Sequence, residues 1–174
     1  RQMNSWRKLL KIMKRLLVTV IILFILLANF SLSYAAPLNI DAEAYILMDS
    51  NSGQVLLEKN SETKRLYPAS TTKIMTAIVA LENSSLDTMM TASQAAVYDI
   101  GKDGMNIGIM PGEVLSLGQL LHALLIVSAN EAANIIAENV CNTREEFIEL
   151  MNKRAKELGA NNTNFVNANG MHDD

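Results

Sequence analysis

The chain has 174 residues, 49% of them apolar, with 15 Lys and Arg against 18 Asp and Glu for a net charge of −3. Six of the basic residues (Arg1, Arg7, Lys8, Lys11, Lys14 and Arg15) precede the first acid, Asp41, so the rest of the chain carries 9 bases against 18 acids, a net −9 that argues against a nucleic-acid partner. Cys141 is the only cysteine, which excludes an intramolecular disulfide, and no Cys/His cluster has metal-ligand spacing.

Residues 1–35 read as an export signal and not as fold. A basic head leads into the apolar run Leu16 to Phe30, short for a membrane span of about 20 residues. Ser33-Tyr34-Ala35 has small residues where signal peptidase needs them. The expectation is cleavage after Ala35 and a domain over residues 36–174 at the outer face of the cytoplasmic membrane or in the cell envelope.

Ala44 to Met48 and Gln54 to Glu58 flank the turn cluster Asp49-Ser50-Asn51-Ser52-Gly53, which predicts a β-hairpin. The polar stretch Asn60 to Arg65 reads as a solvated loop running to Pro68. Ile74, Met75, Ile78, Val79 and Leu81 then recur at helical spacing, so a helix follows Ser70 and ends near Glu82-Asn83. Leu86 to Pro111 is mixed: Thr91 to Val97 reads as a short helix, and Gly101, Gly104, Gly108 and Gly112 mark loops. Ser116 can cap a helix over Leu117 to Ile126, in which His122 is a packed or rim residue, and a further helix runs from Glu131 to Val140. Thr143-Arg144-Glu145-Glu146 fits a capping box, and Phe147, Ile148, Met151, Ala155 and Leu158 carry that helix to a stop at Gly159. Asn161 to Asp174 is polar with isolated apolar residues, a loop or short strand.

Two motifs carry chemistry. A serine and a lysine three apart on a helix share a face, which puts an amine within reach of a hydroxyl. That is the minimal pair for a serine nucleophile with a lysine base. The spacing occurs at Ser5/Lys8, Ser61/Lys64 and Ser70/Lys73, but only the last opens an apolar helix. There the helix N-terminus favours a developing alkoxide. The same partial positive charge, with burial, lowers the pKa of Lys73. The competing reading is a plain N-cap, worth about 1 kcal/mol, with Lys73 solvated. Ser128-Ala129-Asn130 is the only S-x-N and lies between two helical patterns. Its hydroxyl and amide can shuttle a proton and hold a substrate amide, or can simply make a turn and cap.

With a signal ahead of them, the two motifs resemble the penicillin-recognising serine acyl-enzyme superfamily of class A β-lactamases and penicillin-binding proteins. The closer resemblance is to the low-molecular-weight D-alanyl-D-alanine carboxypeptidases, serine peptidase family S11, from about Ala42 to Asp174. It rests also on Ala44-Tyr45-Ile46-Leu47-Met48-Asp49, Tyr67-Pro68-Ala69 before Ser70, Glu131-Ala132-Ala133 after Asn130, Leu158-Gly159-Ala160, and Gly170-Met171-His172-Asp173. The resemblance implies an α/β (α+β) β-lactamase/DD-peptidase-like transpeptidase fold, a helical block laid on part of an antiparallel sheet. It implies removal of the terminal D-alanine from peptidoglycan stem peptides. Ser70 would form the acyl-enzyme, Lys73 act as general base and Ser128 relay the proton to the leaving D-alanine. Asn130 would hold substrate and Lys73. No cofactor and no metal is implied; β-lactams would acylate Ser70, and membrane association would come through a C-terminal region.

The family's third motif, Lys-Thr-Gly on a strand, does not occur: no lysine is followed by Ser-Gly or Thr-Gly. The expectation is an N-terminal fragment, inactive alone. It would lack one of two oxyanion-hole N–H groups, a loss worth about 10²–10³ in rate. It would also expose an unpaired hairpin edge and an uncovered apolar face. Two rivals remain. One is a serine β-lactamase, for which Glu149-Leu150-Met151-Asn152 superficially offers a deacylating glutamate, though helical spacing explains it better. The other is a truncated, non-catalytic envelope protein.

Overall fold

The structure, a computed structural model, describes residues 2–28 and 38–173 and divides into two units, residues 1–63 and 64–174. In the first unit, helix α1 spans Gln2–Ala28, a stretch free of glycine and proline and rich in Leu, Ile, Lys and Arg. Among the described residues no helix is long and apolar enough to cross a membrane. The cleavage site expected after Ala35 lies outside the described residues.

The hairpin of that unit forms as its turn chemistry dictates. Strands β1 (Tyr45–Met48) and β2 (Val55–Lys59) pair antiparallel from Tyr45↔Lys59 to Met48↔Val55, with a bulge at Leu47/Met48. One carboxylate oxygen of Asp49 accepts from the Ser52 N–H at 2.8 Å, the Ser52 hydroxyl at 2.7 Å and the Asn51 N–H at 3.2 Å. Bonds from Ser52 hold that carboxyl below its ordinary pKa. Gly53 takes φ +71°, the left-handed conformation that closes the turn. Both faces of the ribbon are open: Ile46, Leu47, Met48, Val55 and Leu56 are each 42–57% exposed.

The second unit is built around one helix. Strands β3 (Met89–Thr91) and β4 (Val114–Ser116) pair antiparallel at its edge. Helices α2 (Thr72–Asn83), α3 (Gln94–Tyr98), α4 (Leu117–His122), α5 (Asn130–Val140) and α6 (Arg144–Glu157) complete it. Residues 130–137 of α5 are all buried, because α2, α3, α4, α6 and β3 pack around it. The core joins Val79, Met90, Leu117, Leu120, Leu124, Ile135, Ile136, Phe147 and Met151. On α6 the inward face is Phe147, Met151 and Ala155, one residue per turn.

The structure corrects three sequence expectations here. The stretch read as a helix from Thr91 to Val97 divides into β3 and α3, with Ser93 as N-cap accepting from the Ala96 N–H at 2.9 Å. Strands of three residues carry too little periodicity to register. The helix read through Ile126 ends at His122 and continues as a wider π-turn over Ala123–Val127. At α6 Thr143 caps the Glu146 N–H at 3.1 Å, but the Glu146 carboxylate accepts from Asn142 instead of returning to Thr143, so only half the box forms. The segment from Asn161 onward holds no strand among the described residues. It is held in place by Asn152, whose side chain pairs with both the N–H and the carbonyl of Phe165 at 2.7 and 2.8 Å.

Candidate active site

Three segments converge at Ser70. The first is its own turn: Pro68 enters, Ala69 takes φ +47°, and Ala69–Thr71 form one 3₁₀ turn before α2. Thr71 donates its hydroxyl to the Pro68 carbonyl at 2.6 Å. Neither this turn nor α2 has a side-chain cap bond, so the plain-cap reading of Ser70 does not hold. The Ser70 hydroxyl instead accepts from the Lys73 amine at 3.3 Å and from the Ser128 hydroxyl at 3.1 Å.

Lys73, the second residue of α2, is 2% exposed. Among the described residues it has no carboxylate partner; the amine donates to the Asn169 carbonyl at 2.6 Å. Burial alone pushes its pKa below the ordinary lysine value. Desolvation is the cause the structure supplies. A neutral amine at hydrogen-bond distance can accept the Ser70 proton.

The second segment is the turn between α4 and α5. The π-turn ends at Ser128 with φ +64° and ψ +33°, left-handed and costly for a residue with a Cβ. The Ala129 N–H closes it on the Ala123 carbonyl at 3.1 Å. This widened exit brings the Ser128 hydroxyl to Ser70, and π-turns of this kind concentrate at functional sites.

Asn130 opens α5 and is buried. Its side-chain N–H donates to the Ile100 carbonyl at 3.2 Å and its backbone N–H to the Met105 carbonyl at 2.8 Å. It makes no hydrogen bond to Lys73, a contact that the family resemblance implies. Gly104 faces this amide so closely that a Cβ there would lie 2.7 Å from Asn130 Nδ2.

The third segment, residues 168–172, went unread as part of the site. Besides the Asn169 carbonyl on Lys73, the Ala168 carbonyl accepts from the Thr76 hydroxyl at 2.6 Å. Gly170, at φ +81°, passes so near the nucleophile turn that a Cβ would run into the Ala69 carbonyl. The His172 ring meets Tyr67 edge-on at 4.6 Å. Ser61 turns to Glu58 at 2.8 Å, and Glu149 is exposed on α6. Among the described residues no cluster of His, Cys, Asp and Glu could hold a metal ion. An open, polar cavity of about 850 Å³ is lined by Asn134, Arg144, Asn169 and Met171 among others, but not by Ser70, Lys73 or Ser128.

The family model for D-alanyl-D-alanine carboxypeptidases, peptidase S11, matches residues 31–174. The chain belongs to this S11 family. Among S11 relatives, the D-alanyl-D-alanine carboxypeptidase DacF of Bacillus subtilis is 37% identical over 91% of this chain and 43% of its own length. DacC of Escherichia coli is 38% identical over 76% of this chain and 35% of its own. The crystal structure of DacD from Francisella tularensis superposes with a TM-score of 0.73 at 37% identity, covering 81% of this chain and 34% of that one. Penicillin-binding protein 5 from Haemophilus influenzae gives 0.73 at 32% identity, covering 80% and 42%. The fold is therefore the S11 DD-peptidase fold, and the chain spans well under half the length of these relatives.

Proposed function

We propose that the protein to which this chain belongs is a serine-type D-Ala-D-Ala carboxypeptidase acting on peptidoglycan stem peptides. The observation that carries the reading is the buried Lys73 amine 3.3 Å from a Ser70 hydroxyl that also receives the Ser128 hydroxyl at 3.1 Å. Ser70 attacks the penultimate carbonyl as neutral Lys73 takes its proton. The Ser70 N–H donates to the developing oxyanion, together with a donor from a Lys-Thr-Gly strand elsewhere in the full-length protein. Ser128 hands a proton to the departing D-alanine nitrogen, and Asn130 turns its amide from Ile100 to the substrate. Water then releases the acyl group. A β-lactam enters by the same first step and stays on Ser70 longer. Residues 1–35 act as an export signal cleaved after Ala35, which places the enzyme in the envelope beside its substrate.

The test is D-alanine release from a D-Ala-D-Ala peptide and labelling by penicillin, in full-length protein and its Ser70→Ala variant. The reading expects both activities in the wild type and neither in the variant. Rapid penicillin turnover without D-alanine release would make the protein a β-lactamase. No labelling at all would make it a non-catalytic envelope protein.

A further inference from the structure

Asn134 and Asn169 have no part in the chemistry above, yet both are buried polar side chains, 2% and 5% exposed. Asn134 lies one turn beyond Asn130, so the two amides share a face of α5. The Asn134 side-chain N–H groups donate to the Ala96 carbonyl at 3.1 Å and the Asp99 carbonyl at 2.8 Å, at the end of α3, where the helix leaves carbonyls without a partner of its own. Its Oδ1 accepts from Asn169 Nδ2 at 3.4 Å. The Asn169 Oδ1 accepts from the Met171 N–H at 2.9 Å, and the Gly170 N–H donates to Asn167 Oδ1 at 2.7 Å. The turn that presents the Asn169 carbonyl is thus fixed from within and tied to α5. That carbonyl takes the Lys73 amine at 2.6 Å, and the amine reaches Ser70.

We infer that Asn134, acting through Asn169, is a positioning residue for Lys73: the pair fixes the carbonyl that takes one amine hydrogen and keeps the nitrogen turned toward Ser70. The inference rests on the serine–lysine chemistry proposed above. Buried polar links of this kind are strong when complete and costly when half broken. Of the charged groups on the surrounding elements, Asp99 and Glu138 meet Arg144 at 2.8 Å each, and Glu131 accepts from the Ile107 N–H at 2.6 Å through Oε1, while its buried Oε2 has no partner among the described residues. Burial is the one cause of the lowered Lys73 pKa. Loosening the turn admits water to the amine and raises that pKa.

The test is Asn134→Leu in full-length protein, which keeps the volume and removes every hydrogen bond of the amide. Two readouts are followed against pH: the rate of acylation by a labelled penicillin, and the Lys73 ¹³Cε signal in lysine-labelled protein, assigned with Lys73→Arg. The inference expects acylation at neutral pH to slow about tenfold or more. It also expects the Lys73 titration and the acid limb of the rate to move up together by about one pH unit. An unmoved Lys73 titration overturns it, whether the rate is unchanged or the variant is merely less stable. Should Asn134→Leu fail to fold, Asn169→Ala removes the same link and keeps the carbonyl; the same two outcomes decide. Wild-type protein that penicillin does not acylate would refute the proposed function, while the Lys73 titration still decides the positioning role.

Discussion

The β1–β2 hairpin and the α5 region solve opposite problems. The hairpin leaves Ile46, Leu47, Met48, Val55 and Leu56 in solvent and owes its shape to the Asp49 turn. The α5 region encloses Lys73, Asn130, Glu131, Asn134 and Asn169, polar groups that cost free energy unless each finds a partner. A two-stranded ribbon can lose an apolar contact with little consequence. A buried polar network cannot lose a partner without consequence. The proposed chemistry draws on the second kind of region, because an amine needs burial to be a base at neutral pH.

That contrast predicts a descending series of effects. Lys73→Met replaces the buried amine with an apolar chain of similar reach. Acylation should fall about 10²–10⁴-fold, while stability changes by no more than about 1–3 kcal/mol, because the Asn169 carbonyl loses its donor but no buried amine remains to be desolvated. A large loss of stability would contradict the view that Lys73 is held there for chemistry. In the wild type the pKa of Lys73 is lower folded than unfolded. Between those two values the unfolded chain binds more protons, so stability rises with pH across that window. Acylation should fall as pH drops below the folded value. A rate flat through that range would remove Lys73 as base.

Phe147→Ala should cost about 3–5 kcal/mol in denaturant titration, the effect of emptying a fully buried aromatic site. Gly170→Ala drives a Cβ toward the Ala69 carbonyl at a positive φ, for a loss of about 1–3 kcal/mol and slower acylation as the Ser70 turn shifts. In the hairpin, Leu56→Thr should change the stability of this chain by no more than about 0.5 kcal/mol. A loss above about 2 kcal/mol there would mean the ribbon is buried in solution, and the comparison would fail.

How much of this was legible in the sequence follows the same divide. The hairpin, α2, α5 and α6 were readable because turn clusters and helical spacing are local signals. The Ser70–Lys73 contact was readable because residues three apart on a helix share a face, and the meeting with Ser128 only through the family resemblance. The β3–β4 pair was not, since three residues carry no period. The π-turn was not, because Ala123 to Val127 is the same apolar run in either helix type. Asn169 was missed because it acts through a main-chain carbonyl 96 residues from Lys73, a contact that no side-chain pattern encodes. Asn130, Asn134 and Glu138, spaced by four on α5, did carry a signal: a polar stripe beside the apolar residues Ala133, Ile135, Ile136 and Ala137.

The most direct measurement is mass spectrometry of the tryptic peptide Leu66–Lys73 after full-length protein has met penicillin. A penicilloyl adduct on Ser70, absent from the longer Leu66–Lys102 peptide that trypsin releases when Lys73 is replaced by Met, is the predicted result. An unmodified Ser70, or an adduct on another residue, would contradict the central claim that this serine, served by this lysine, is the nucleophile.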